Sequence, residues 1–411
     1  MRLFISFSAL FLSVIFLQLS NGGLGPLDAL SGIALGFSTE QIGLMGSAHF
    51  LGFFIGCWWA PRLMGDVGHS RAFAVFTAIG AIGLLLHFLI IDPLAWAVMR
   101  IAAGFCIAGS YTVVEAWLHA KLTNDIRGRA MGTYRVVDMG ASLAAQMVIS
   151  VLEPASYVSY NLLALVCCAA IIPLTLTKST QPSMPDAPRL RPALALASSP
   201  LAVAGVIVAG ITSASFRMVG PIYGQEIGLT QAQIGWFLAA FVAGGALAQL
   251  PMGWLADKFD RRWVLIWISA ASIVACVATA AMGGPPSLTL LLGGLTGFVT
   301  FPVFSIASAH ANDFASDDQR VELAASLMFY FAVGGIMAPY LASTLIAGFG
   351  PSAMFILISV GHAFLVGFGI LRMRARPTGG NRTRYIWAPR TSFIIGRLTG
   401  RSRGRGEEDE S

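Results

Sequence analysis

Six ionisable side chains interrupt stretches that are otherwise apolar, and their chemistry is the most informative in this sequence. They are Asp28, Arg100, Glu115, Arg135, Asp138 and Arg217. A charge at the centre of a bilayer costs about 2.5 kcal/mol or more, so each residue is a candidate for ligand binding, coupling or ion pairing. An arginine binds a carboxylate through two parallel hydrogen bonds, and a buried carboxyl group can exchange a proton.

Arg217 is the charge that has no obvious partner. Its apolar stretch, residues 200–224, contains no acid, and the next one along the chain is Glu226. Because arginine suits recognition of a carboxylate, we favour an organic anion as its ligand. Asp28 and Arg100 permit two interpretations: both face a ligand, or they form a buried pair that binds nothing.

Glu115, Arg135 and Asp138 form a second group of charges. Arg135 and Asp138 are about one helical turn apart, and Glu115 lies near the end of the preceding apolar stretch. We expect a Glu115–Arg135 bridge. Asp138 is either a proton site or a second partner of Arg135, and both alternatives remain open. His87 has no carboxylate one turn away, so we expect it to pack in the core.

The composition shows which elements must position these charges. Of 411 residues, 56% are hydrophobic and 11% are charged, and the mean hydropathy is +0.74. A soluble protein needs roughly a quarter of its residues charged, so the sequence indicates an integral membrane protein. It excludes a soluble enzyme, a nucleic-acid-binding module and a disordered chain. The net charge of +6 comes from residues 372–411, which contain ten arginines and four acids.

Twelve stretches have the length and apolarity of membrane-spanning helices. We predict spans at 5–30, 40–62, 72–91, 94–118, 130–152, 157–176, 200–224, 231–255, 263–282, 286–309, 321–345 and 351–371. No Ala-x-Ala cleavage site follows the first stretch, so we expect an uncleaved helix rather than a signal peptide. The predicted fold is an all-α membrane protein.

The basic residues predict the orientation of the chain. With the N-terminus inside, 23 of the 26 Lys and Arg residues fall in cytoplasmic loops, the linker and the tail, and none falls in an external loop. Cytoplasmic loops retain positive charge, so both termini are expected on the cytoplasmic side of the cell inner membrane. We expect the arginine-rich tail to be solvated, with attachment along an anionic leaflet as the alternative.

The chain reads as two related halves. Residues 38–43 align with residues 230–235, and Gly52 then aligns with Gly244. Gly-Pro breaks are also expected near the outer ends of the first and seventh spans, at Pro26 and Pro221. Two six-helix repeats suit alternating access. The predicted domains are an N-terminal bundle, a proline-rich cytoplasmic linker, a C-terminal bundle and a basic tail, at residues 1–177, 178–199, 200–371 and 372–411.

The loop after the eighth span carries a recognisable motif. Gly253, Asp257, Arg261 and Arg262 have the spacing of Gly-x-x-x-Asp-x-x-x-Arg-Arg, which resembles motif A of the major facilitator superfamily. The resemblance implies a latch in which the acid closes the cytoplasmic side when the protein is open outward. Asp260 stands where the motif usually has Gly, and we expect it to stiffen the latch.

Three further stretches resemble one branch of that superfamily, the YcaD-like proteins. Residues 66–73 contain Val-Gly-His-x-Arg-Ala-Phe, residues 115–118 are followed by Arg-Gly-Arg at 127–129, and residues 310–313 match the loop after the tenth span. The resemblance covers residues 1–371. It implies transport without specifying a cargo.

The resemblance also implies where a substrate site lies. In the superfamily the first, fourth, seventh and tenth spans line a central cavity. The implied substrate-binding residues are Gln18, Asn21, Asp28, Arg100, Arg217 and Thr300. Glu115, Arg135 and Asp138 are then candidates for coupling or for a cytoplasmic bridge.

The predicted function is secondary active transport of a small solute by alternating access, coupled to protons, with an organic anion as the favoured cargo. The alternatives are an exporter of amphipathic compounds and a receptor that binds without transporting. The sequence contains no Walker A motif and no His-Glu-x-x-His pattern. We therefore expect no enzymatic activity, cofactor or metal, no nucleic-acid partner, and a monomer in the lipid bilayer.

Overall fold

The computed structural model describes residues 2–122, 126–176, 189–375, 383, 385–387 and 390–394. Every regular element in these ranges is a helix, so the all-α prediction is confirmed for them. The first half contains α1 (Arg2–Ala34), α2 (Thr39–Val67), α3 (His69–Leu86), α4 (Pro93–Lys121), α5 (Arg127–Val148), α6 (Tyr157–Ala169) and α7 (Ile171–Thr175). The second half contains α8 (Pro192–Ser198), α9 (Pro200–Glu226), α10 (Gln231–Lys258), α11 (Arg261–Met282), α12 (Pro286–Thr300), α13 (Pro302–Asn312), α14 (Arg320–Phe349) and α15 (Ala353–Ala375).

Eleven segments of the described chain are long and apolar enough to cross a membrane, where α6 with α7 and α12 with α13 each count once. The remaining predicted span, 130–152, corresponds to α5. This helix has 22 residues, but its buried face carries Arg135, Asp138, Ser142 and Gln146. Because these polar residues line an internal cavity, α5 falls short of the apolarity of a lipid-facing helix.

The two halves repeat the same local structure. Ser38 begins α2 with a capping box that includes Gln41, and Thr230 begins α10 with the same box that includes Gln233. A Cβ atom at Gly52 would lie 2.0 Å from a carbonyl oxygen of α4, and one at Gly244 would lie 2.0 Å from a carbonyl oxygen of α12. Glycine therefore permits the same close helix approach in both halves.

The predicted proline breaks do not interrupt the helices. α1 continues through Pro26 to Ala34, and α9 continues through Pro221 to Glu226. Neighbouring helices can stabilise a membrane helix around a proline, so the lost backbone hydrogen bond need not end it.

The structure is closed at one face and divided by a cleft at the other. Short loops make successive helices antiparallel, so the ends of α2, α4, α10 and α13 share one face, which we call the basic face. At the opposite face, the backbone N–H of Tyr340 donates to Ser47 Oγ over 3.2 Å, which joins α14 to α2. Gln231 Nε2 donates to the carbonyl oxygen of Ile149 over 2.5 Å, which joins α10 to α5.

The predicted linker contains ordered structure near its end. α8 lies within it, and Arg191 Nη1 lies 2.9 Å from Glu322 Oε2 of α14. Residues 177–188 lie outside the described part of the chain.

Candidate functional site

A cavity of about 140 Å³ lies between the two halves at the level of the buried charges. Side chains from α1, α2, α4, α5, α9, α10 and α14 line it. Its charged and amide side chains are Gln18, Asn21, Arg135, Asp138, Gln146, Arg217 and Arg390. Phe216, Phe241 and Phe301 provide apolar walls, with the rings of Phe216 and Phe241 stacked at 3.7 Å.

Asp138 lies at the centre of a hydrogen-bond network. Gln18 Nε2 donates to Asp138 Oδ1 over 2.8 Å, and the hydroxyl of Tyr111 donates to the same oxygen. Arg135 Nη1 lies 3.8 Å from Asp138 Oδ2. Asp138 is thus a partner of Arg135, and it is the one carboxylate among the described residues that line the cavity. Sequence reasoning missed Tyr111, because an isolated tyrosine in an apolar helix carries no signal.

Arg217 projects from α9 into the same cavity. Among the residues that the structure describes, no carboxylate oxygen lies within 4.0 Å of its guanidinium group. Arg217 therefore places a positive charge at the cavity wall without an acid beside it in the described structure.

Asp28 and Arg100 form a separate buried cluster outside the lining of this cavity. Arg100 Nε and His87 Nε2 each lie 3.5 Å from Asp28 Oδ2, and the hydroxyl of Tyr160 donates to Asp28 Oδ1 over 2.7 Å. The ring of His87 packs 4.8 Å from the ring of Trp96. The contacts support the interpretation of a buried pair, with His87 and Tyr160 as additional partners. His87 contacts this buried pair, which its local sequence did not predict.

The remaining candidates of the first and tenth spans differ in position. Gln18 and Asn21 line the cavity. Thr300 lies outside the lining, and its hydroxyl donates to the carbonyl oxygen of Thr296 over 2.7 Å. This contact within one helix satisfies the hydroxyl of Thr300.

Glu115 does not form the expected bridge with Arg135 in the described structure. Its carboxylate accepts hydrogen bonds from the hydroxyl of Tyr134 at 2.9 Å and from Thr391 and Ser392 of the tail. Arg135 instead lies beside Asp138, which is one turn away on its own helix. Glu115 is therefore paired with hydroxyl groups of Tyr134 and of the tail, and not with the predicted arginine.

The motif residues surround Arg261, which is buried. Arg261 Nη1 lies 2.6 Å from Asp313 Oδ1, and Arg261 Nη2 lies 3.3 Å from Asp257 Oδ1. Asp260 begins α11 by accepting a hydrogen bond from the backbone N–H of Arg262 over 3.0 Å. Asp260 also pairs with the Arg262 side chain at 2.8 Å, so it both caps the helix and holds Arg262.

Parts of the tail lie inside the molecule, in contrast to the expected solvated segment. We call residues 383, 385–387 and 390–394 the tail segment. Trp387, Arg390 and Thr391 line the central cavity. The ring of Tyr385 occupies the space beside Gly253, where a Cβ atom would lie 2.8 Å from it. The other residues after 375 lie outside the described part.

Arg390 has an unusual environment for a charged residue of a tail. Its guanidinium carbon lies 4.3 Å from the ring centre of Phe301 and 5.4 Å from that of Phe331. Burial lowers the pKa of Arg390, and the positive charges of Arg217 and Arg135 lower it further. A negative charge in the cavity would stabilise the charged form of Arg390, Arg217 and Arg135.

A wider cleft of about 1660 Å³ adjoins the cavity toward the basic face. It separates α5 from α10 and is lined by Arg127, Met131, Leu247 and Leu250 together with residues 383 and 385–387 of the tail segment. In the described ranges, no group of three or more His, Cys, Asp and Glu residues could hold a metal ion.

Comparisons with known proteins agree on one fold and one family. The family model of the Major Facilitator Superfamily matches residues 201–399. The chain is 30% identical over 335 residues to the uncharacterized MFS-type transporter YcaD of Escherichia coli O7:K1, covering 80% of this chain and 86% of that protein.

Two solved structures share the fold. The nucleoside transporter NupG is 16% identical, with a TM-score of 0.73, and the match covers 92% of this chain and 100% of that one. A bacterial homologue of the human lysosomal transporter Spinster, in an inward-facing and occupied conformation, is 14% identical, with a TM-score of 0.74 and coverage of 91% and 97%.

Proposed function

The chain belongs to the major facilitator superfamily, and from this premise we propose that it is a secondary active transporter of a small organic anion. The cargo would bind in the cavity between the two bundles and cross the bacterial inner membrane by alternating access. Its basic face would be cytoplasmic, as the distribution of loop Lys and Arg predicts.

The observation that carries this proposal is the charge of the cavity. Arg217 and Arg135 line it from opposite bundles, and Asp138 is the one described carboxylate in the lining. Arg135 Nε and Nη2 are buried without a hydrogen-bond partner in the described structure. Buried guanidinium groups need compensation by charge or hydrogen bonds, and a carboxylate provides both.

The size of the cavity limits the cargo. A cavity of about 150 Å³ holds a molecule such as benzene. The 140 Å³ available here therefore suits an anion of about six to nine heavy atoms. Phe216, Phe241 and Phe301 in the wall would contact an apolar part of the cargo.

The closed and divided faces support alternating access. α2 contacts α14 and α5 contacts α10 at the face opposite the basic one, whereas a cleft separates α5 from α10 at the basic face. This arrangement corresponds to an inward-facing state. Rocking of the bundles would open the contacts at Ser47 and Gln231 and close the cleft.

Asp138 is our proposed proton site. It touches Gln18, Tyr111 and Arg135, so a proton on its carboxyl group would weaken its pairing with Arg135 and leave that arginine available to the anion. Coupling would follow from this exchange of partners.

One observation favours a second function, export of amphipathic compounds. The cleft between α5 and α10 carries exposed apolar side chains, including Leu247 and Leu250, beside Arg127. An amphipathic molecule could enter such a cleft from the bilayer.

Uptake into proteoliposomes tests the proposal. Succinate, glutarate and benzoate would be compared with their neutral amides, with and without an inward pH gradient. We expect accumulation of at least one carboxylate, stimulated by the gradient, and no accumulation of its amide. Transport of amides and carboxylates at equal rates would contradict the anion assignment, and efflux of amphipathic dyes alone would favour the exporter.

A further inference from the structure

The tail segment connects the two bundles across the basic face. The backbone N–H of Tyr385 donates to Asp257 Oδ1 of α10 over 2.7 Å. Thr391 and Ser392 donate to Glu115 of α4. The segment therefore contacts the motif acid of one bundle and a buried acid of the other, and it crosses the cleft between them.

Apolar contacts support this position. The ring of Phe393 packs 6.0 Å from that of Phe54 on α2, and its backbone lies beside the buried Cys57 thiol. The guanidinium carbon of Arg135 lies 5.5 Å from the ring of Trp387. Because Trp387, Arg390 and Thr391 line the cavity, the segment covers it on the side of the basic face.

The charge of the segment indicates what it covers. Arg390 adds a third guanidinium group to the cavity that Arg135 and Arg217 already line. Asp138 is the sole acid of that lining within the described chain, and Arg390 has no carboxylate within 4.0 Å there. Arg135 is buried, and Arg217 and Arg390 are half-buried. Three positive charges so close together, with one acid beside them, repel one another unless an anion joins them.

The segment could act in two ways, and its charge distinguishes them. A plug that blocks an empty cavity would be most stable with an acidic or apolar residue opposite Arg217 and Arg135. The structure places an arginine there instead. We propose that the tail segment is a lid that closes over a bound organic anion and contributes Arg390 to the anion-binding site.

This proposal rests on the anion assignment made above. It implies that the cargo and the lid stabilise each other, because each supplies charge that the other requires. By thermodynamic linkage, an anion that binds more tightly under the lid must also hold the lid more tightly in place. The cytoplasmic gate of this transporter would then respond to the charge of its cargo.

Binding measurements with the full-length chain test the contribution of Arg390. Binding of succinate, glutarate and benzoate to purified protein would be measured for the wild type, for Arg390→Gln and for Arg374→Gln. The last variant makes the same charge change at an exposed position on α15. We expect Arg390→Gln to weaken binding on the order of tenfold, the scale of a charge-assisted hydrogen bond, and Arg374→Gln to leave it unchanged.

A second measurement reports the position of the lid. In a full-length variant that keeps Cys57 as its one cysteine, the lid covers the thiol, and a maleimide applied from the cytoplasmic side reacts slowly. We expect the binding carboxylate to slow this reaction further in the wild-type background. It should have no such effect in Arg390→Gln, and the amides should have none in either protein.

The outcomes separate the lid from the anion assignment. If the wild type binds a carboxylate and Arg390→Gln binds it equally well, the lid proposal is wrong while the anion assignment stands. If the carboxylate accelerates labelling of Cys57, the cargo expels the segment, which is then a competing plug. If none of the three carboxylates binds the wild type, the anion assignment fails and the lid fails with it.

Discussion

The buried pair of Asp28 and Arg100 allows a quantitative test of how the first bundle is held together. The two residues are 2% and 1% exposed, and Arg100 Nε lies 3.5 Å from Asp28 Oδ2. At an effective dielectric constant of about 20, the attraction over this distance is roughly 5 kcal/mol. Removing one partner of such a pair typically costs about 3–5 kcal/mol, because the other charge stays buried.

We therefore expect Arg100→Gln to lower the free energy of unfolding by about 3 kcal/mol, the lower end of that range. Tyr160 and His87 still contact Asp28 and moderate the loss. Asp28→Asn should cost a similar amount, since it leaves Arg100 without its acid. The double variant should recover most of the loss, because it leaves no unpaired charge.

Unfolding of the purified protein in mixed micelles would measure all four proteins of the double-mutant cycle. Arg374→Gln, at an exposed site on α15, provides the control for a simple loss of charge. Additive losses in the double variant would refute the pairing. A stable Arg100→Gln protein that loses only ligand binding would assign Arg100 to the cargo instead.

Three further predictions concern gating and coupling. Asp257→Asn should lower transport while the amount of protein in the membrane stays near normal. Asp257 contacts both Arg261 and the tail segment, so its loss shifts the balance between the inward-facing and outward-facing states without unfolding either. Unchanged transport would count against this. Asp138→Asn should abolish the response of uptake to a pH gradient while exchange of cargo persists, and a retained response would place the proton elsewhere. Gly43→Ala should shift the protein toward the outward-facing state, because the added Cβ would lie 1.7 Å from Ser343 Oγ; cysteine labelling at the outer face checks this, and labelling at the wild-type rate would contradict it.

Local patterns in the sequence were sufficient to predict the fold. The capping residues Ser38 and Thr230 and the aligned glycines Gly52 and Gly244 occur at equivalent positions in the two halves of the structure, as the internal repeat predicts. These features depend on neighbours within one or two helical turns or on a helix approach that only glycine permits. A single sequence therefore contains the information needed to find them.

Contacts between distant residues explain what the sequence could not predict. His87 and Tyr160 join Asp28 from other helices, and the tail supplies Thr391 to Glu115 over a separation of 276 residues. Arg390 looked like one of ten similar arginines in a basic tail. Its position in the cavity follows from packing of the tail segment against both bundles, which no local spacing reveals.

Arg217 offers the most direct test of the central claim that the cavity binds an organic anion. Dissociation constants for succinate, glutarate and benzoate would be measured with the wild type, Arg217→Lys and Arg217→Gln, after thermal unfolding has shown that all three proteins are folded. Lysine keeps the charge but loses the planar fork, so Arg217→Lys should weaken binding by about 1–3 kcal/mol, and Arg217→Gln should weaken it further. Binding of a carboxylate by Arg217→Gln with the affinity of the wild type would contradict the account.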